Sequence, residues 1–522
     1  MVGMKKEKTI KIDVPAHILA IMEKLNESGH EAFVVGGCVR DLLLGTKPKD
    51  WDVATNARPE EVQGIFPDSV YENEFGTVGI KIRSGEVANG EGEQKKGDCF
   101  EVVEVTTFRI ESKYSDKRHP DVVKFAKTLE EDLSRRDFTI NALAMKVANW
   151  DNTHPTHSDA FFDGERELEI IDYFSGQNDL KNKLIRAVGD ANERFSEDAL
   201  RMMRAVRFSV TLGFAIEEKT FEAIKRNAEN LKHISLERVR DEFVKIILSP
   251  VPARGIERLQ ETGILKIILP EIENSVGVMQ SRHHYWGPYN TVYRHLVASL
   301  EKCPSEKLEV RLAALLHDVG KPKAKRGEGE DATFYNHEYI GERMTRNIFE
   351  RLRFSRRVID KVTLLVRNHM FYYNVDEVGE SGVRRVVQKV GLENIGDLID
   401  VRIADRLGSG VPKAVPYKLR HFQFMVEKVS HDPISVKQLK LNGNDLIKEL
   451  GVEPGPKIGA ILAVLLSNVI DDPTLNEKEK LITLAKELAK SQVEDLRKLA
   501  EEKIKKEQKK EEELIKRKHK VG

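Results

Sequence analysis

Apolar positions near the start of the chain come in short extended runs. Phe33-Val-Val35 is continuous and β-branched, which predicts a buried strand; it breaks at Gly36 and Gly37, resumes as a short helix through Leu42-Leu43-Leu44, and stops at Gly45. Extended chain returns around Asp50-Trp51-Asp52. Side chains two apart on a strand share a face, so Asp50 and Asp52 are expected on one side with Trp51 on the other. Farther along, Pro59 to Phe66 reads as a helix, and Val78 to Arg83 and Phe100 to Phe108 read as alternating strands. The Gly-, Glu- and Lys-rich stretch Ser84 to Asp98 joins them as a solvated hairpin loop. On the second strand Val102, Glu104 and Thr106 share a face, making Glu104 either a third carboxylate beside Asp50 and Asp52 or a surface strand residue.

The pattern becomes helical from about residue 149. Before it, in residues 130 to 145, Arg135, Arg136 and Asp137 stand at the mouth of an apolar helix or strand end; they could grip a triphosphate or ribose, but the triplet alone favours a surface ion-pair cluster. The segment Phe195 to Phe208 opens with Ser196, Glu197 and Asp198 as a helix start, then repeats arginine at 201, 204 and 207. Helical spacing makes Asp198 and Arg201 neighbours and carries Arg207 about halfway round. The pair reads as a salt bridge or as a donor-acceptor edge that imitates a base-pairing partner.

Between about 271 and 430 the residues that look chemical are His295, His317 with Asp318, His337, His369 and Asp405, each in or beside a helical pattern. Imidazole with carboxylate suits divalent transition metals, and the set could hold one metal or two and activate water against a phosphoester. From 431 onward a small helical unit with glycine turns leads into a charged helical run ending at Lys505 to Lys520, expected to be a solvated or loosely docked helix or, more sharply, a basic arm.

Composition narrows the classes. Lys+Arg and Asp+Glu are equal at 85 each in 522 residues, so any polyanion surface must be a local patch. The three cysteines are widely separated and form neither a disulfide framework nor a paired metal motif. No apolar run approaches the roughly 18 residues of a membrane span and no signal-like segment opens the chain, so a cytoplasmic protein without membrane contact is expected. Two carboxylates on one edge suit Mg²⁺ where the substrate brings phosphates, Gly36 and Gly37 leave room for close approach of one, and Arg40 adds a forked donor.

Taken in order, Gly36-Gly37-x-x-Arg40-Asp41, Leu43-Leu44-Gly45, Asp50-x-Asp52, Arg135-Arg136-Asp137 and Glu197-Asp198-x-x-Arg201 resemble the tRNA nucleotidyltransferase and poly(A) polymerase family of the class II, bacterial type. His295, His317-Asp318 and Asp405 are similar to the HD phosphohydrolase superfamily, fused to the head in many bacterial members. The resemblance implies an α+β multidomain chain: a small mixed-sheet head over 1–148, a helical neck over 149–270 with a base-recognition helix, an HD-type helical metal domain over 271–430, and a helical, tRNA-contacting tail over 431–522. It implies Mg²⁺ at Asp50 and Asp52 with Glu104 as a further catalytic acid. Gly37, Arg40, Arg136, Asp137, Asp198, Arg201, Arg204 and Arg207 would be the nucleotide contacts. His295, His317, Asp318 and Asp405 would form one divalent transition-metal site, with His337 and His369 completing a second.

The activity implied is addition of CCA to a tRNA 3′ end from CTP and ATP by two-metal phosphoryl transfer, with tRNA held by its 3′ end and acceptor arm and no protein partner expected. The competing readings are a poly(A) polymerase or a CC- or A-adding enzyme, a metal-dependent HD phosphohydrolase, and an RNA-binding protein with structural metal sites.

Overall fold

The computed structural model describes residues 9–11, 14–73, 76–83, 100–112, 122–148, 167–280, 290–328, 331–430, 439–496, 498 and 512–521. The expected hairpin loop Ser84 to Asp98 lies outside the described residues. Among the described residues of the first third there are ten strands: β1 (Thr9–Lys11), β2 (Ala32–Val35), β3 (Asp52–Thr55), β4 (Ser69–Asn73), β5 (Thr77–Arg83), β6 (Phe100–Thr107), β7 (Arg109–Ser112), β8 (Val122–Phe125), β9 (Ala144–Val147) and β10 (Glu167–Ile171). Eight of them make one mixed sheet in the order β1-β10-β9-β2-β3-β6-β5-β4, while β7 and β8 pair separately. β3 runs parallel to β6 and antiparallel to β2, so it is flanked on both sides and its Val53, Ala54 and Thr55 are buried.

Asp50 lies in a bend before β3, not on the strand, so the shared-face argument for Asp50 and Asp52 does not hold. The bend brings the two carboxylates together instead, close enough for the Asp50 charge to act on Asp52. Trp51 between them is 8% exposed and packs in the main core with Val53, Val78 and Val105. In β6 the alternation is as expected, with Val103 and Val105 buried and Val102 and Glu104 exposed.

The sheet does not end at residue 148, since β10 pairs with both β9 and β1. The boundary expected there divides a sheet that continues through Ile171. Beyond it the described residues are mainly helical, apart from the short parallel pair Leu184–Ile185 and Ala215–Ile216. The single helix expected over 195–208 is two: Ala191–Glu197 and Leu200–Thr211. Asp198 sits between them with extended backbone (φ −134°, ψ 103°), and its carboxylate accepts the Leu200 N–H, replacing a helical bond with a side-chain one. Ser196 is no cap; its hydroxyl donates to the Asn192 carbonyl inside the first helix, whose N-terminus is capped by Asp190.

Helices Val292–Glu301, Leu308–Leu316, His337–Arg351, Arg356–Asn368 and Leu392–Gly408 form the body of the third unit. The tail has its own core, with Leu441, Leu446, Ile461, Leu465 and Leu481 between Gly443–Leu450, Pro456–Asp471 and Lys478–Leu488. The expected terminal charged run is described only from 512. There it is docked: Ile515 and Val521 are buried, Lys428 pairs with Glu512 at 2.8 Å, and Lys518 with Glu427 at 2.8 Å. No helix among the described residues is long and apolar enough to cross a membrane.

Candidate functional site

The glycine turn after β2 is held by its surroundings. Gly36 has φ +85° and donates its N–H to the Leu143 carbonyl at 3.0 Å. A Cβ there would stand 2.6 Å from the Arg136 Nη1 and 3.7 Å from the Asp52 Oδ2, so only glycine lets that guanidinium lie in the turn beside the carboxylate. Asp52 is the first residue of β3 and is in register with Glu104 on parallel β6, which places the two on neighbouring positions of one sheet face. Burial pushes the Asp52 carboxyl above its usual range; Arg136 pulls it down and the Asp50 charge pushes it further up. Carboxylates crowded in this way on one face of the sheet are a hard-oxygen donor set that suits a divalent cation.

Arg135 and Arg136 diverge from their common partner. Asp132, 1% exposed, takes Arg135 at 2.9 Å and Arg136 at 3.5 Å. Burial alone would raise its carboxyl, but the two guanidiniums hold it below the usual range. Of the two readings open for the triplet, Arg135 fits the ion pair, whereas Arg136 reaches the Gly36 turn. Asp137 faces the other way and accepts from the Phe138 N–H, from Asn141 Nδ2 at 3.1 Å and from Arg204 Nε at 2.6 Å. Asn141 in turn accepts from Arg40 Nη1 at 2.8 Å. One hydrogen-bonded line, Arg40–Asn141–Asp137–Arg204, thus joins the helix after the glycine turn to the helix Leu200–Thr211. Arg40, Arg204 and Arg207 also surround the Phe208 ring, 5.1, 5.5 and 4.1 Å from its centroid. Arg207 stands 2.8 Å from Glu242. The nearest atom to a Cβ on Gly37 would be Arg40 Nη2 at 3.6 Å, ordinary contact, so the chain itself does not demand glycine there.

Asp198 and Arg201 do not form the ion pair that their spacing suggested. Asp198 is held by Arg238, with Nη2 donating to Oδ2 at 2.7 Å and Nη1 to Oδ1 at 3.4 Å. Arg201, 8% exposed, donates to Glu197 Oε2 at 2.6 Å and to the Arg135 carbonyl at 2.9 Å. The helix break at Asp198 rotates that carboxylate off the face Arg201 occupies, and the two sit side by side with separate anchors.

Four imidazoles of the third unit meet in one pocket. His295 Nε2 is 3.0 Å from His317 Nε2, and His337 Nε2 is 3.3 Å from His369 Nε2. Asp318 lies between the pairs, its Oδ2 3.3 Å from both His295 and His317 and its Oδ1 3.1 Å from His337 and 3.6 Å from His369. Asp405 Oδ1 closes the first pair at 3.3 Å from His295. Two sets among the described residues have donor atoms within 4.8 Å of one another: His295, His317 and Asp405, and His317, Asp318 and His369.

His317, His337 and His369 each place Nδ1 against a carbonyl, of Ala314 (2.9 Å), Phe334 (2.8 Å) and Val366 (2.7 Å). A carbonyl only accepts, so Nδ1 carries the hydrogen and Nε2 turns a lone pair inward. Inward lone pairs this close repel unless a cation lies among them. Without a metal a proton would take its place on His317 Nε2: burial opposes the charged form, but Asp318 and Asp405 outweigh burial and push its pKa up to about 10. The donor set fits a divalent transition metal.

Gly320 lets the elements meet, since a Cβ there would stand 2.2 Å from the His337 carbonyl oxygen. Lys321, three residues past Asp318 and 2.5 Å from its Oδ2, and Arg402, 2.7 Å from Asp405 Oδ2, belong to the pocket and escaped the sequence reading. The signal for Lys321 was present in its i,i+3 spacing from Asp318. The same spacing from Asp405 marked Arg402, whereas nothing marked Arg238 or Asn141.

The family described as "Poly A polymerase head domain" matches residues 32–186, "Probable RNA and SrmB- binding site of polymerase A" matches 213–275, and the tRNA nucleotidyltransferase domain 2 family matches 334–485. The CCA-adding enzyme of Ligilactobacillus salivarius is 34% identical over 477 residues, which span 91% of this chain and 97% of that protein. The crystal structure of Bacillus stearothermophilus CCA-adding enzyme in complex with CTP superposes with a TM-score of 0.53 at 28% identity, over 90% of this chain and 97% of that one. The Thermotoga maritima CCA-adding enzyme complexed with tRNA shares the fold, with a TM-score of 0.50 at 21% identity over 93% of this chain and all of that one.

Proposed function

The chain belongs to the CCA-adding enzyme family, and on that premise we propose that it adds C, C and A to the 3′ end of tRNA from CTP and ATP without a nucleic-acid template. The observation that carries the proposal is the hydrogen-bonded line Arg40–Asn141–Asp137–Arg204, which ties the helix after the glycine turn, beside the acidic group, to the neck helix. A nucleoside triphosphate needs both at once, a charge-neutralising site for its phosphates and a fixed edge for its base. Asp50 and Asp52 would hold Mg²⁺, with Glu104 beside Asp52. Bound there, Mg²⁺ supplies charge neutralisation and Lewis acidity to displacement of pyrophosphate by the RNA 3′ hydroxyl. Arg136 in the Gly36 turn and Arg40 on its helix are the proposed phosphate donors, and Gly37 leaves backbone room for that group. Asp198 offers an acceptor and Arg201 donors to the base edge. Asp137, Arg204 and Arg207 brace these groups from behind.

The products separate the related activities. Purified protein is incubated with tRNA transcripts ending before CCA or after CC, and with unrelated RNA, with CTP and ATP alone and together. Addition of C, C and A to tRNA alone supports the proposal; long A tails on any RNA would replace it with a poly(A) polymerase, and addition stopping at CC or needing CC already present with a partial enzyme.

A second activity is favoured by the convergence of His295, His317, His337, His369, Asp318 and Asp405. We propose that this pocket is an HD-type metal centre that activates water against phosphoesters, with one set at His295, His317 and Asp405 and Asp318 shared toward His337 and His369. Metal analysis of the purified protein, with hydrolysis of a generic phosphodiester before and after chelation, tests it; a metal-free protein that cannot be loaded would remove it.

A further inference from the structure

We infer that Arg238 is a positioning residue for base selection: from the helix Leu236–Ile247 its guanidinium fixes the Asp198 carboxylate and leaves it a single acceptor position. The inference rests on the reading of Asp198 as a base contact. A carboxylate offers about four lone-pair sites. The Leu200 N–H takes one on Oδ1 at 3.0 Å, and Arg238 takes a second on Oδ1 through Nη1 and a third on Oδ2 through Nη2. What remains is one site on Oδ2 of a side chain that is 16% exposed. Backbone and guanidinium together fix the plane of the carboxylate, which a lone aspartate at a helix break would be free to rotate.

A single fixed acceptor discriminates between bases by chemistry alone. The exocyclic N4 of cytosine and N6 of adenine are donors, whereas O6 of guanine and the O4 that uracil shares with thymine are acceptors. Cytosine and adenine complete the Asp198 set, while guanine and uracil set oxygen against oxygen, a desolvated mismatch with no compensating bond. A carboxylate free to turn would no longer meet O4 or O6 head-on, and the penalty against UTP and GTP would fall. Arg201 cannot take over the role of Arg238, because Glu197 and the Arg135 carbonyl hold it separately.

Arg238 is 29% exposed, and the helix that carries it is also fixed to Leu200–Thr211 by buried Val239 and Phe243 and by the Glu242–Arg207 pair. Truncating Arg238 therefore frees Asp198 without dismantling the neck.

The test measures single-nucleotide addition of CTP, ATP, UTP and GTP to a tRNA transcript ending before CCA, or after CC for ATP, by the wild-type protein and by Arg238→Ala and Arg238→Lys. The expected result is a KM for CTP and ATP raised about 10-fold in Arg238→Ala with kcat less affected, and discrimination against UTP reduced roughly 10- to 100-fold. Arg238→Lys, which keeps the charge but not the fork, should fall between. Affinity for tRNA should be unchanged. Wild-type KM values and wild-type rejection of UTP in Arg238→Ala would overturn the inference while leaving the proposed activity standing. So would an equal loss of kcat for all four nucleotides with a lowered melting temperature, which would make the residue a structural brace. A wild-type protein that adds neither C nor A would remove the reading beneath it as well.

Discussion

The acidic edge of the head and the imidazole pocket of the third unit both gather groups suited to a cation, yet they differ in how much of the coordination the chain supplies. In the head Asp50 and Glu104 are exposed and Asp52 is half-buried, all are carboxylates, and Arg136 lies in the Gly36 turn where its charge acts on Asp52. Such a site is incomplete on its own and suits a metal that arrives with a phosphate-bearing ligand. In the pocket the six donors are almost sealed, their side chains between 0 and 8% exposed, and three imidazoles are aimed by carbonyls behind them. That arrangement is complete before any substrate arrives. One donor set is open and all oxygen, the other closed and rich in nitrogen.

The largest effect expected is at the open edge. Asp52→Ala should lower nucleotide addition by 10³-fold or more while tRNA binding and the circular dichroism spectrum stay as in the wild type, because little besides charge neutralisation drives the step. Asp318→Ala should act on the other side only: it removes the group that touches all four imidazoles, so bound transition metal measured by mass spectrometry should fall 10- to 100-fold, with CCA addition changed less than 3-fold. Loss of addition in that variant would erase the separation between the sites.

Arg204→Gln tests the rigid line within the head. It leaves Asp137, 7% exposed, without its charged partner; with Arg204 itself 35% exposed and Asn141 still donating, the loss should cost about 1 to 2 kcal/mol in denaturant unfolding. The Asp137 carboxyl is held below its usual range, burial being outweighed by Arg204 and by Asn141. A lowered folded-state pKa stabilises at pH above the ordinary carboxylate value and loses that contribution as pH falls below it. The gap between wild type and Arg204→Gln should therefore be full at neutral pH and close below about pH 4. The smallest effect belongs to Trp51. Its ring packs in the core behind the two aspartates, so Trp51→Phe should cost about 1 kcal/mol and leave addition within a few-fold.

What was legible in the chain follows from range. The run Phe33 to Val35, the glycine break and the alternation of Val102 to Val105 are local patterns, and each folds as its pattern requires. Asp50 was misplaced because a two-residue period presumes a strand, and the chain bends before β3 begins. The break at Asp198 had a local cue, an aspartate able to bind the N–H two residues on, but the helical spacing of the arginines overrode it. Partners were the least legible: Arg40 with Asn141, Asp137 with Arg204 and Asp198 with Arg238 lie 101, 67 and 40 residues apart. No periodicity links such positions. Only the packing of the neck on the sheet brings them together.

The central claim, that the open edge performs addition independently of the closed cage, is tested most directly by one gel. A tRNA transcript lacking CCA is incubated with CTP and ATP and the wild-type protein, Asp52→Asn or His317→Ala. Extension by three nucleotides with wild type and with His317→Ala, and none with Asp52→Asn, is the result predicted; extension by Asp52→Asn, or its loss in a folded His317→Ala, would contradict the account.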